Sequence, residues 1–553
     1  MGVIPRFAKE MIMSESLPKI RINQTGYHTS LNVRMAVLTD GPLTVTDESG
    51  NIVKTIEYEA PSFDEASGDN VRLLDLGILP AGKYFAKAGT ESREFVVSES
   101  SPRDVADALV KGLYFQRCGM ELEEKYAGIY KHPACHTAEA ADWEDNSKKR
   151  LVTGGWHDAG DYGKYVGPGA VTAAHLIYSD ILFPSCVSDN LNIPESGNGV
   201  PDILNEARYE LDWMLKMQRE DGAFHHKLTK ARFAPFIMPE EDLLQEYLMP
   251  VSHTSTGAAC ACLALSYRAY KKYDADFALR CLDSAVRAWK WLEENPDFEP
   301  YKNPEGVNTG GYGDRNLTDE LFWAACELYA ATGDEKYLKS AEELFSEDML
   351  LAEFGWANVG GLGALCVMFE LKETAGDLYL KVKNTFLRQS KKALEVTRLS
   401  GYGTAIPSEG YIWGSILTDM NNAMSMAVSF LLTGDTEMLD GAMLQWDYAL
   451  GLNALDICFV TGFGERRVMN PHHRPSGSDD ITDPVPGLIS GGPNKRYTYP
   501  QTKEKLGEDV PPAKYFLDEL PSADTNEIAI YWNSPVVFVG AFLLSEAAKK
   551  DAR

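Results

Sequence analysis

Between residues 20 and 97 the apolar positions fall in short alternating stretches, at 20–22, 34–38, 43–46, 83–86 and 93–97. A period of two belongs to strands with one buried face. Turn-forming clusters separate the stretches: Gly41-Pro42, Ser49-Gly50-Asn51, Ser67-Gly68-Asp69 and Pro80-Ala81-Gly82. The pattern predicts a small all-β sandwich of immunoglobulin-like type over 18–100. The stretch 98–102 reads as a linker, with Ser101 and Pro102 opening the first helix.

Past residue 103 the apolar period becomes helical. Twelve amphipathic segments are expected near 103–118, 168–183, 201–219, 254–273, 276–294, 317–332, 335–346, 358–371, 374–394, 414–432, 435–450 and 528–548. Thr332-Gly333-Asp334 and Thr433-Gly434-Asp435 each offer a Gly for a left-handed helix end and an Asp to cap the next helix. Tyr273-Asp274-Ala275-Asp276 reads as a degenerate third copy of that joint. Six consecutive hairpins predict an (α/α)6 barrel over 101–553, so the fold class is mainly α. Two long irregular connections, 119–167 and 453–527, interrupt the barrel, and long loops on a rigid scaffold are where chemistry concentrates.

The chain has 553 residues, enough for more than one domain, and no apolar run approaches the ~20 residues of a membrane span. Its 53 basic and 81 acidic residues give a net charge of −28, and no basic stripe offers a nucleic-acid site. A neutral polymer meets no such repulsion. The nine cysteines are odd in number and several lie in apolar helical runs, which reads as reduced core thiols. Met1 to Lys19 has charges at Arg6, Lys9, Glu10 and Glu15 and no clean apolar segment, so it does not read as a secretory signal. The expectation is a protein that stays inside the cell or one whose leader has been removed.

Two acidic blocks stand out. In Gly154-Gly155-Trp156-His157-Asp158-Ala159-Gly160-Asp161-Tyr162-Gly163-Lys164-Tyr165, two Asp residues are set among Gly, Trp and Tyr. The backbone can turn tightly there and present carboxylates beside flat faces suited to a sugar ring; an Asp-rich turn bonding its own amides is the plainer alternative. In Asp524-Thr525-Asn526-Glu527-Ile528-Ala529-Ile530-Tyr531-Trp532-Asn533-Ser534, a Glu opens an apolar helix. Taken together the blocks fit inverting glycoside hydrolysis, which needs one ionised and one protonated carboxyl. Burial beside Ile528, Tyr531 and Trp532 would keep Glu527 protonated, and Lys164 would keep Asp161 charged.

With these residues in view, the chain resembles glycoside hydrolase family 9, the endoglucanase and cellobiohydrolase family, in its subgroup with an N-terminal immunoglobulin-like domain. Three blocks carry the resemblance: 155–165, Val460-Thr461-Gly462-Phe463-Gly464 running to Pro471-His472-His473-Arg474, and Asn526-Glu527 to Trp532-Asn533. Arg21-Ile22-Asn23-Gln24-Thr25-Gly26-Tyr27 is similar to the first strand of the accessory domain. The resemblance implies Asp161 as catalytic base, Asp158 as the Asp that positions water, Glu527 as general acid, and His472 and Arg474 as substrate contacts. It implies inverting cleavage of β-1,4-glucosidic bonds in cellulose, soluble β-glucans or cello-oligosaccharides. Cys458 and Ala523 depart from the family pattern, which bears on the subsite next to the acid. An exo-acting glucosidase or glucosaminidase on the same fold, or a silent carbohydrate-binding scaffold, are the competing readings.

Cys118, Cys135, His136 and His157 form a donor set suited to tetrahedral Zn(II), although their spacing is not that of a zinc finger and, from the residues alone, two core thiols and two unrelated histidines are the better reading. The resemblance favours a closed structural zinc. Asp314, Asn316, Asp319 and Glu320 gather oxygen ligands for Ca(II) just before a helix, or simply cap it. The resemblance favours calcium, with Asn358 a distant ligand. Glu195, Ser196, Asn198 and Asp202 could form a second such site or cap a helix. Trp156, Trp323, Trp356, Trp413 and Trp532 are expected near the barrel mouth, and Trp156 and Trp532, next to the carboxylates in sequence, are the two expected to line the cleft.

Overall fold

The computed structural model describes residues 17–551; residues 1–16, where most of the leader reading falls, lie outside them. Eight strands form two four-stranded sheets, ordered β1-β2-β6-β5 and β4-β3-β7-β8. The predicted stretches appear as β1 (Ile20–Ile22), β2 (Val33–Val37), β3 (Leu43–Asp47), β7 (Gly82–Ala88) and β8 (Glu91–Val97). Three strands were not anticipated: β4 (Ile52–Ile56), β5 (Ser62–Asp64) and β6 (Asp69–Gly77). Their alternation is broken. Ile52 and Val53 on β4 are both exposed, and β6 sends Leu74 and Leu76 into the sandwich core but Val71 to the other side, against the helices. For the same reason every residue of β2 is buried, since Val33, Met35 and Val37 face the partner sheet and Ala36 faces the helical core.

Of the helices among the described residues, twelve build the barrel: α1 (Ser101–Phe115), α2 (Val166–Leu182), α3 (Asp202–Lys216), α4 (His253–Tyr270), α5 (Ala275–Glu294), α6 (Thr318–Thr332), α7 (Glu335–Leu344), α8 (Gly360–Leu365), α9 (Gly376–Leu399), α10 (Ser415–Thr433), α11 (Thr436–Ala449) and α12 (Ile530–Asp551). The even-numbered helices form the inner ring. α12 packs on α2, α2 on α4, α4 on α6, α6 on α8, and α10 on α12, while α9 contacts both α8 and α10. The α12–α2 contact closes the ring, the step that hairpin counting leaves open. Inner helices such as α2 are apolar on nearly every side, whereas outer ones such as α7 bury a narrow stripe.

The hairpin joints form as their residues require. Gly333 and Gly434 take φ of 70° and 72°, and Asp334, Asp435 and Asp274 each accept a backbone N–H from the first turn of the next helix. The expected helix at 358–371 is shorter: α8 ends at Leu365 and a π turn, Cys366–Glu370, replaces its last part. None of the helices among the described residues is long and apolar enough to cross a membrane.

Sandwich and barrel are joined by buried polar contacts. Asn23 Nδ2 donates to Asp447 Oδ1 at 2.8 Å, the Gln24 amide N–H to the Leu450 carbonyl at 2.9 Å, and Tyr402 Oη to Asp69 Oδ2 at 2.7 Å. Arg93 Nη1 lies 3.0 Å from Asp456 Oδ2, whose side chain is fully buried. Removing one partner of such a pair strands the other charge, at a cost of about 3–5 kcal/mol. Asp456→Ala is therefore expected to lower the thermal midpoint by several degrees, and an unchanged midpoint would show that Arg93 needs no partner there.

Candidate active site

Three distant segments meet through backbone hydrogen bonds. The Ile530 amide donates to the Asp158 carbonyl at 2.8 Å, the Arg474 amide to the Gly160 carbonyl at 3.0 Å, and the His472 amide to the Asn526 carbonyl at 3.1 Å. A Cβ at residue 160 would lie 1.8 Å from the His472 carbonyl oxygen, so only glycine permits this approach. From behind, Gln116 Nε2 donates to the carbonyls of His157 and Ala159.

The junction lines a cavity of about 590 Å³ whose walls include Asp158, Asp161, Glu527, His472, Arg474 and Trp532, all anticipated from sequence. Trp156 is elsewhere. It is 1 % exposed, with its Nε1–H donated to Glu206 Oε1 at 2.8 Å, so the glycines around it turn the ring into the core rather than the cleft. Trp323 is also core, bonded to Glu327. Trp356 and Trp413 do line the cavity, joined by Tyr312 and Tyr499, which the sequence reading passed over. Tyr312 stands in Gly310-Gly311-Tyr312-Gly313, a Gly-flanked aromatic like the Asp161 block, and that was the signal available. No residue of the sandwich lines the cavity.

The carboxyls differ in environment. Glu527 precedes α12 in extended conformation rather than sitting on its first turn. Burial, reinforced by the nearby Asp161, pushes its pKa up to about 8, against a 3.3 Å hydrogen bond from Trp413 Nε1 that opposes the rise. Glu527 therefore holds a proton at neutral pH. Asp161 is also raised by burial, but Arg474, the Gly163 amide donating to Oδ2 at 2.8 Å, and Lys227 counter it. Lys164 does not have the role expected of it, since its ammonium points instead to Cys118 Sγ at 3.3 Å and the Gly154 carbonyl at 2.8 Å. Asp158 is pushed well up by burial; Tyr312 Oη donates to its Oδ2 at 2.5 Å, and its buried Oδ1 has no protein partner.

His472 Nδ1 lies 2.7 Å from the Leu520 carbonyl, which fixes the proton on Nδ1 and leaves Nε2 to accept from a ligand hydroxyl. Arg474 is anchored by carbonyls only, Nε on Ala234 at 2.8 Å and Nη1 on Gly160 at 2.7 Å. Its charge is not neutralised by an adjacent carboxylate.

Behind the catalytic loop, ligand atoms of Cys118, Cys135, His136 and His157 all lie within 4.8 Å of one another, the one such group of three or more His, Cys, Asp or Glu among the described residues. His136 Nδ1 and His157 Nε2 are buried without hydrogen-bond partners. Burial alone would raise the Cys118 thiol, but the Cys135 thiol, Lys164 and the two histidines hold it well below the usual thiol range. His136 Nε2 sits 3.4 Å from Asp242 Oδ2, the kind of carboxylate contact that orients a metal-binding imidazole. These donors fit a metal ion.

Asp314, Asp319 and Glu320 are buried near one another, and Asn316 Nδ2 donates to Asp319 Oδ1 at 2.6 Å. Burial and mutual repulsion raise Glu320 well above the usual range and Asp319 to about 6. Asp314 Oδ2 and Glu320 Oε2 have no hydrogen-bond partner, while Val359, next to Asn358, donates its amide to Asp319 Oδ2 at 2.8 Å. At the other acidic run, Asp202 Oδ2 accepts from the Leu191 amide and the Ser196 hydroxyl, and Glu195 pairs with Arg117, so hydrogen bonds account for those side chains.

A closed helical barrel whose cavity pairs acidic side chains with aromatic faces defines a carbohydrate-cleaving hydrolase. The Glycosyl hydrolase family 9 profile matches residues 103–540 and the Cellulase N-terminal ig-like domain profile residues 15–93: the chain belongs to glycosyl hydrolase family 9. It is 37% identical over 547 residues to a Cellodextrinase of Butyrivibrio fibrisolvens, covering 94% of this chain and 99% of the relative. To a Xyloglucan-specific endo-beta-1,4-glucanase of Bacteroides ovatus it is 34% identical, covering 95% and 93%. Among solved structures, a single-mutant thermostable endoglucanase from Alicyclobacillus acidocaldarius superposes with a TM-score of 0.89 at 34% identity, covering 95% of this chain and 100% of that one. A Zn-binding triple mutant of the family 9 endoglucanase J30 gives 0.87 at 31%, covering 94% and 99%.

The Tyr312 contact has a measurable consequence. A hydrogen bond to a neutral group contributes about 0.5–1.5 kcal/mol, or roughly 2- to 10-fold in rate if it acts in the transition state. Tyr312→Phe is expected to lower kcat by that factor with little change in KM, and an unchanged kcat would detach Tyr312 from Asp158's function.

Proposed function

We propose that the protein hydrolyses β-1,4-glucosidic bonds of soluble β-glucans or cello-oligosaccharides with inversion at the anomeric carbon, Asp161 acting as base and Glu527 as acid. The observation that carries this reading is the meeting of Asp158, Asp161 and Glu527 in one aromatic-walled cavity, where burial pushes the Glu527 pKa up to about 8 while Arg474 and the Gly163 amide oppose the same effect on Asp161. Glu527 protonates the glycosidic oxygen as the bond breaks. Asp161 takes a proton from the attacking water on the opposite face, for which inverting enzymes hold their carboxyls ~6.5–9.5 Å apart. Asp158, fixed by Tyr312 through Oδ2, has Oδ1 left to orient that water. His472 and Arg474 bond sugar hydroxyls, and Trp532, Trp356 and Trp413 stack on pyranose faces. The resemblance to a protein named Cellodextrinase supports short soluble chains over crystalline cellulose.

Glu527→Gln and Asp161→Asn should each lose at least about 100-fold in kcat while still binding oligosaccharide, the usual size of a general acid–base contribution. Proton NMR of the first product formed should show the α-anomer; early β-anomer would overturn inversion. Release of glucose alone from cellopentaose would favour the exo-glycosidase reading, and absence of any new reducing ends the silent scaffold.

Cys118, Cys135, His136 and His157 would hold a structural Zn(II), with four protein ligands and no open position for chemistry. Bound there, the ion would pin the loop in which His157 adjoins Asp158. Asp314, Asn316, Asp319 and Glu320, with Asn358 nearby, would hold Ca(II), whose charge relieves the repulsion among the three carboxylates. Metal analysis should return about one zinc per chain, lost together with thermal stability in Cys135→Ser. Calcium added after chelation should raise the thermal midpoint of the parent but not of Glu320→Gln. A zinc-loaded Cys135→Ser protein with parental stability would remove the first assignment, and a calcium response unaffected by Glu320→Gln the second.

A further inference from the structure

The short strand Lys227–Thr229 runs antiparallel to Lys164–Tyr165, the end of the catalytic loop, with Lys227 opposite Tyr165. Lys227 is fully buried, and its ammonium donates to Asn303 Oδ1 at 2.7 Å, Thr309 Oγ1 at 3.0 Å and the Gly310 carbonyl at 2.6 Å. All three acceptors are neutral. A buried cation without a carboxylate partner is costly, and such groups persist where their charge has a use. Two of the acceptors belong to the loop that reaches Tyr312, the residue bonded to Asp158.

The geometry points to Lys227 as a positioning residue for the catalytic base: an unneutralised positive charge fixed against Tyr165, at the end of the loop that carries Asp161, its three donors also holding the loop that presents Tyr312. This rests on the assignment of Asp161 as base. Burial lowers Lys227 to about 7, and Asp161 is the carboxylate whose charge opposes that fall; in return Lys227 favours the ionised form of Asp161. The groups facing Lys227 are Tyr165 and Asp161 from the catalytic loop, Tyr301, Asn303, Thr309 and Gly310 from the opposite loop, and His226 beside it. Asp161 in turn faces Arg474, Asp158 and Glu527. Among these groups Lys227 is a cation whose own ammonium is held only by neutral acceptors.

The test is the pH dependence of kcat/KM on a cello-oligosaccharide. Lys227→Met removes the charge, so Asp161 protonates more readily and the acid limb should move up by about one unit, the lower end of what a neighbouring charge does to a carboxyl. Activity well below that limb falls about tenfold relative to the parent, with a smaller loss near neutrality. Lys227→Arg keeps the charge and should keep the limb in place even if its geometry lowers kcat. Asn303→Asp sets a carboxylate against the ammonium and should shift the limb upward as Lys227→Met does, which decides the matter if Lys227→Met does not fold. An acid limb that stays put in the folded charge-removing or charge-pairing variant, whatever the loss of rate, would overturn the inference and reduce Lys227 to a structural tie. Retained activity in Asp161→Asn would instead overturn the base assignment.

Discussion

The active site depends on a set of main-chain hydrogen bonds that bind three remote segments into one surface. The carbonyl groups of Asp158 and Gly160 accept from Ile530 and Arg474, and Asn526 accepts from His472. These bonds place two acidic residues from opposite ends of the barrel sequence against one cavity without relying on any side chain that takes part in chemistry. Gly160 is the geometric condition for the arrangement, because any larger residue would collide with the His472 carbonyl. Functional groups supported in this way keep their positions while their protonation states change, which a reaction with simultaneous proton gain and loss requires.

The second organising fact is how charge is distributed around those groups. All three carboxyls are buried, so desolvation drives each towards the neutral form. They are differentiated by what stands nearby: an indole beside Glu527, a phenol on Asp158, and two cations with an amide around Asp161. Neighbours of different kinds thus push two carboxyls of one cavity to different degrees towards the neutral form. Arg474 contributes most effectively because carbonyls, not acids, hold its guanidinium.

Much of this was legible in the sequence, and the misses have physical causes. Helix caps located the barrel hairpins because Gly333, Gly434 and the Asp residues after them have strong local preferences. Strand β6 was missed because its sheet is buried on both faces, which erases the alternation that marks a strand, and β4 because its neighbouring Ile52 and Val53 are both exposed. Trp156 was misplaced because adjacency in sequence says nothing about the side to which a glycine-rich loop turns a ring. Lys164 failed as Asp161's partner for a similar reason: a strand begins between them and sends its ammonium to the cysteines. Lys227 escaped because its relation to the carboxylates exists only once the chain is folded, whereas Tyr312 stood in a Gly-flanked run, Gly310-Gly311-Tyr312-Gly313, that marks a turn without showing what it meets.

The ring closes when α12 packs on α2, helices separated by most of the barrel sequence. At ordinary rates of translation, about 5–20 residues per second, the first of these waits tens of seconds for the second. During that interval α2, apolar on nearly every side, has no permanent neighbour on one flank, and the cavity lacks Glu527, Tyr531 and Trp532. Until α12 is released, a nascent chain therefore leaves an apolar flank of α2 uncovered, the kind of surface through which unfinished copies associate.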